Sequence, residues 1–77
     1  MKIQVDHIAL IHCNNLAEDK TIELDEQATV TDLLNALEIA PEHQKAVIPF
    51  INSDRAKRNH TLKDGDNVFL SLAIGGG

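Results

Sequence analysis

The sequence predicts an α+β domain in which one main helix packs on one face of a mixed sheet of four to five strands. Three observations carry that reading: period-two alternation near both ends of the chain, a single stripe of helical period between them, and turn-forming residues at the joints. With 77 residues the chain supports one compact core. Phe50 and Phe69 are its only aromatic residues, so that core must be aliphatic.

Residues 2–11 are rich in β-branched and aliphatic types, and Ile3 and Val5 alternate with Lys2, Gln4 and Asp6, as in a half-buried first strand. Ile8 and Leu10 take the parity of the polar residues, which signals a bulge or a change of partner near Asp6 and His7. After a polar turn ending at Lys20, residues 21–25 alternate again as a second strand, making a hairpin with the first.

Val30, Leu33, Leu34 and Leu37 then fall at i, i+3, i+4 and i+7, one apolar stripe on a helix. Thr29 is the expected N-cap, with Asp32 completing a capping box. Pro41 ends this helix or opens a short second turn through Gln44. Residues 46–51 make a third strand, where Pro49 implies an edge position or an irregular end. Asp64-Gly65-Asp66 signals a tight turn into the clearest strand, residues 67–74, with Val68, Leu70, Leu72 and Ile74 on one face and Phe69 on the other. The expected core is Ile3, Val5, Ile22, Leu24, Val30, Leu33, Leu34, Leu37, Val68, Leu70 and Leu72.

This element order is that of the β-grasp fold, whose first and last strands lie side by side in parallel. It divides the chain into a domain over residues 1–74 and a flexible tail over 75–77. Glycine has the largest backbone entropy to lose and no side chain to pack, so Gly75-Gly76-Gly77 is poorly suited to stabilising a strand end. It is well suited to entering a narrow channel that any Cβ would obstruct. A terminal carboxyl has a pKa of about 3.5 and is ionised at neutral pH, ready to attack the α-phosphate of ATP. The resulting acyl-adenylate accepts a sulfur nucleophile and yields a thiocarboxylate. The chain has no phosphate-binding loop and too little volume for an ATP pocket, so ATP and magnesium belong to a partner enzyme and no cofactor is expected on this chain.

Residues 62–68, LKDGDNV, followed by residues 72–77, LAIGGG, resemble the end of the ThiS/MoaD family of ubiquitin-like sulfur carriers, and residues 28–34, ATVTDLL, resemble its helix start. The resemblance covers nearly the whole chain. It implies adenylation of Gly77 by a ThiF- or MoeB-like activating enzyme, with Gly75 and Gly76 threading its channel and sulfur coming from a cysteine desulfurase or related donor. It also implies a consuming enzyme, thiazole synthase or the large subunit of molybdopterin synthase. The molybdopterin branch commonly has an aromatic residue and two prolines before its glycines, and residues 70–74, LSLAI, lack them, which favours thiamine thiazole. The longer first half, with its turn from Asn14 to Lys20, is more like the molybdopterin carriers.

Twelve acidic against seven basic residues give a net charge of −5, which disfavours nucleic acid. The lone Cys13 and the absence of a signal-type start point to the cytoplasm, and no apolar stretch approaches the ~20 residues that span a bilayer. His7, His12, Cys13, His43 and His60 lack the paired spacings of a zinc site. Cys13, with no basic cluster beside it in sequence, reads as an inert thiol. Phe69, Arg55 and Arg58 are candidates for a partner surface, set against a local aromatic contact for Phe69 and a solvated hairpin for the arginines. Two other functions fit the same residues: a ubiquitin-like modifier whose adenylate passes to an amine, and a non-covalent binding module whose tail is incidental.

Overall fold

In the computed structural model, which describes residues 1–73, the chain runs β1 (Lys2–His7), β2 (Thr21–Glu23), α1 (Val30–Ala36), α2 (Pro41–Gln44), β3 (Val47–Ile51), β4 (Asp54–Arg55) and β5 (Asn67–Leu72). The strands form one sheet in the order β2-β1-β5-β3-β4. β1 and β2 are antiparallel with Ile3 opposite Ile22, whereas β1 and β5 are parallel with Val5 beside Val68. The first and last strands thus lie together at the centre, and α1 covers one face, as the β-grasp arrangement requires. Ile74 and the tail 75–77 lie outside the described residues.

The helix forms where the apolar stripe and its cap coincide. The Thr29 hydroxyl accepts the Asp32 backbone N–H at 3.3 Å, and the Asp32 carboxylate accepts the Thr29 backbone N–H at 2.8 Å, the reciprocal pair of a capping box. Val30, Leu33, Leu34 and Leu37 are all fully buried. At the other end, Glu38 N–H donates to Asn35 O at 3.0 Å and Ile39 N–H donates to Leu34 O at 3.2 Å, the two bonds of a Schellman stop. That stop holds Glu38 at φ 59°, a left-handed conformation usually left to glycine. Glu38→Gly is therefore expected to raise stability by about 0.5–1 kcal/mol, the relieved strain exceeding glycine's extra entropy. The check is an increase in thermal midpoint of roughly 2–8 °C.

Pro41 opens α2, as expected of a residue with no N–H to offer a helix. Pro49 resolves differently from a simple edge residue, because β3 lies between β5 and β4. Asn52 N–H donates to Asn67 O, and Ala46 O accepts the Ala73 N–H, each at 2.8 Å. Even-numbered residues of β3 therefore face β5, and the imino nitrogen of Pro49 points to the β4 side. There β4 pairs only with Phe50 and Ile51, so the missing donor falls beyond the end of the partner strand.

β1 ends at His7 instead of running to residue 11, and the slip in alternation marks that end, with no bulge. Ile8 N–H still donates to Leu70 O at 3.2 Å, and Ile11 N–H then donates to Ile8 O at 3.1 Å, turning the chain. The turn leaves Leu10 75% exposed and Ile11 buried. Leu24 and Leu72, expected in the core, are half-buried against its rim, because each sits where its strand leaves the sheet. Ile11, Ile39, Val47, Ile51 and Leu62 take the remaining core positions.

Candidate functional site

The expected reactive group belongs to Gly77, so the site is defined by what the described residues build around the root of residues 74–77. β5 is paired on both sides, with β1 up to His7 beside Leu70 and with β3 up to Leu72 opposite Val47. Ala73 is then tied by its N–H to Ala46 O at 2.8 Å. The chain therefore leaves a fixed point at the centre of one sheet end. The parallel pairing brings the end of β1, and the turn carrying Leu10, to that same end.

The turn opening β5 lies at the opposite end and is locked by its carboxylates. The Asp64 carboxylate accepts Lys2 N–H at 2.6 Å. The buried Asp66 accepts the Asn52 side-chain amide at 3.0 Å and Lys63 N–H at 2.8 Å. Gly65 between them adopts φ 86°, where a Cβ would strain the turn. These acids are turn formers, as their placement around glycine implies.

Phe69 lies on the sheet face away from α1 and is 42% exposed. It packs beside Phe50, with ring centroids 6.4 Å apart and planes tilted by 47°. Residues paired across strands share a face, so the register sets Asp6 beside Phe69, Phe69 opposite Phe50 and Phe50 opposite Arg55. One row across the open face therefore reads acid, aromatic, aromatic, base. Both the local contact and the exposed aromatic surface are real. Arg58 is not part of this row: its guanidinium donates to Gln44 O, and its carbonyl accepts the Thr31 N–H at 3.0 Å, beside the start of α1. The sequence cluster of Arg55 and Arg58 is thus divided between two regions of the molecule.

Cys13 is half-buried, and burial pushes its thiol above the ordinary range, which lowers the thiolate fraction at neutral pH. Among the described residues no three His, Cys, Asp or Glu side chains gather as a metal site would need, and no helix is long and apolar enough to cross a membrane.

One feature at the root was not foreseen from sequence. A groove of about 520 Å³ opens at the sheet end where β5 leaves, between the Leu10 turn and the connection from α1 to α2, and Ile39, Ala40, His43, Val47 and Leu72 line it. Its walls come from three distant stretches of chain. The only local signal is the pair Ile8 and Leu10 out of phase with β1.

The ThiS family model matches residues 9–77. No curated protein matches the sequence. Among solved structures the chain is similar to SAMP1 from Haloferax volcanii, at 19% identity and a TM-score of 0.64 over 100% of both chains. It is also similar to H. volcanii small archaeal modifier protein 1, at 18% identity and a TM-score of 0.68 over 95% of this chain and 98% of that one. At such identities the likeness is one of fold, and it is the ubiquitin-like fold.

Proposed function

Because the chain belongs to the ThiS family, we propose that it is a sulfur carrier whose Gly77 carboxylate is adenylated by a ThiF- or MoeB-like enzyme and converted to a thiocarboxylate. The observation that carries this reading is the rooting of the terminal residues. Among the described residues Ala73 is the last bonded to the sheet, and Ile74, Gly75, Gly76 and Gly77 come after it in the sequence. A carboxylate there can reach into another protein's active site while the folded body stays outside.

The chain acts as co-substrate: the activating enzyme supplies ATP and magnesium, and a cysteine desulfurase or similar donor supplies sulfur. The Gly77 oxygen attacks the α-phosphorus of ATP and pyrophosphate leaves. A sulfur nucleophile then attacks the acyl carbon and AMP leaves. With a persulfide as that nucleophile the product is an acyl disulfide, and a second thiol attacks its donor-side sulfur, ending as a disulfide with the donor cysteine and releasing the thiocarboxylate. That is the form consumed in cofactor synthesis, thiamine thiazole being favoured over molybdopterin by residues 70–74, LSLAI. The row Phe69, Phe50 and Arg55 on the open face suits docking to such partners.

The test is incubation with a cognate activating enzyme, ATP-Mg and labelled pyrophosphate, which should label ATP. Adding the sulfur donor should leave the chain about 16 Da heavier, sulfur replacing oxygen. A second reading is favoured by the fold neighbour that is itself called a modifier protein: the same adenylate passes to a lysine amine. Conjugates of much higher mass, without the sulfur increment, would establish that fate instead.

A further inference from the structure

We propose that the groove at the root of the tail receives an apolar side chain, flanked by a basic residue, from the mouth of the activating enzyme's channel; this rests on Gly77 being the group activated. Four residues separate Ala73 from the end of the carboxylate-bearing chain. Fully extended they span at most about 14 Å. Enclosing only the last two glycines uses half of that, so the mouth of the channel must come within about 7 Å of Ala73. Whatever surrounds Ala73 is therefore covered by the enzyme during activation.

The groove lies beside it. Ala46, whose carbonyl holds the Ala73 N–H, is part of the groove wall, and so is Leu72. Leu10 stands at the rim with 75% of its surface exposed, a leucine that contributes little to the fold and invites another reason for its presence. Glu38 and Glu42 also line the groove, with His12 and His43. Glu38 occupies the left-handed helix stop and is exposed there. A groove lined mainly by apolar residues, with two exposed acidic residues, Glu38 and Glu42, among its lining, suits an aliphatic or aromatic side chain accompanied by Lys or Arg. A second copy of this chain fits poorly, because symmetric docking would set the two acidic rims, and two bodies of charge −5, against each other.

The experiment is steady-state pyrophosphate exchange with varied carrier, for the wild-type chain, Leu10→Glu, Leu10→Ser, Glu42→Lys and the control Glu26→Lys. Glu26 follows β2, whose Glu23 lies opposite Lys2 at the start of β1, so it sits at the far end of the sheet and matches the charge change of Glu42→Lys. The exposure of Leu10 lets both of its variants fold, which melting curves verify. Expected are a rise in KM of at least about tenfold for Leu10→Glu, a smaller rise for Leu10→Ser and Glu42→Lys, and kcat within about twofold throughout. Glu26→Lys should keep the wild-type KM. Unchanged KM for Leu10→Glu and Glu42→Lys beside an active wild-type chain overturns the groove assignment and leaves the Gly77 reading standing. A concentration-dependent dimer abolished by Leu10→Glu, with KM unchanged, also overturns it and assigns the groove to a second copy. A wild-type chain that supports no exchange overturns both.

Discussion

Leu34→Ala is expected to lower the stability of the domain by about 2–5 kcal/mol, lost transfer free energy adding to the cavity left behind. Leu34 is fully buried and belongs to the one helix that covers the sheet, so no second layer can collapse into the void. A domain of 77 residues has a stability near the lower end of about 5–15 kcal/mol, and the substitution removes a large part of it. The expected fall in thermal midpoint is roughly 10–30 °C, read by circular dichroism or calorimetry. Leu10→Ala, which truncates a mostly exposed side chain, should stay within about 0.5 kcal/mol of wild type. Equal effects at the two leucines would show that the helix stripe does not define the core.

The contrast between those leucines also marks what was legible in the sequence. Where a pattern is local, the chain announced its structure: Thr29 and Asp32 cap α1, Pro41 begins α2, and Gly65 sits in the turn before β5. Periodicity likewise placed Ile3, Val5, Leu33, Leu34 and Leu70 in the core. Ile11, Ile39 and Leu62 are buried as well, but they lie in connections, where no period exists and tertiary packing alone decides burial. The out-of-phase Ile8 and Leu10 were visible, yet the choice between a bulge and a strand end depends on where the pairing of β1 with β5 stops, at His7 beside Leu70.

The candidate site divides along the same line. The role proposed for Gly77 rests on composition and position alone and needs no tertiary contact to be stated, whereas the exposure of Phe69 was legible because its parity opposes Val68 and Leu70. Arg55 and Arg58 are near in sequence but separate in space: Arg55 joins the open face through β4, while Arg58 turns toward Gln44. The groove was invisible because Leu10, Ile39 and Leu72 meet only after the parallel crossover brings the ends of β1 and β5 together.

Capping Gly77 as its amide is expected to abolish pyrophosphate exchange while leaving the fold untouched. Activation requires an anionic oxygen to attack the α-phosphorus of ATP, and a carboxylate is ionised at neutral pH, whereas an amide is neutral and a far weaker nucleophile. The domain should melt as before, since Ala73 is the last residue that bonds to the sheet among those described. Gly76→Ile should suppress exchange by at least about a hundredfold through a different cause. A β-branched side chain restricts the backbone and fills space in a channel shaped for glycine, and misplacing a reacting group by about 1 Å can cost that much in rate. Cys13→Ser should exchange at the wild-type rate, because the attacking oxygen belongs to Gly77 and burial pushes the Cys13 thiol up, away from the reactive thiolate. The loss on amidation should appear in kcat and not be rescued by more carrier, which separates it from the KM effects expected at Leu10. An amide-capped chain that exchanges pyrophosphate and gains sulfur at the normal rate would remove the carboxylate from the mechanism, whatever its partner.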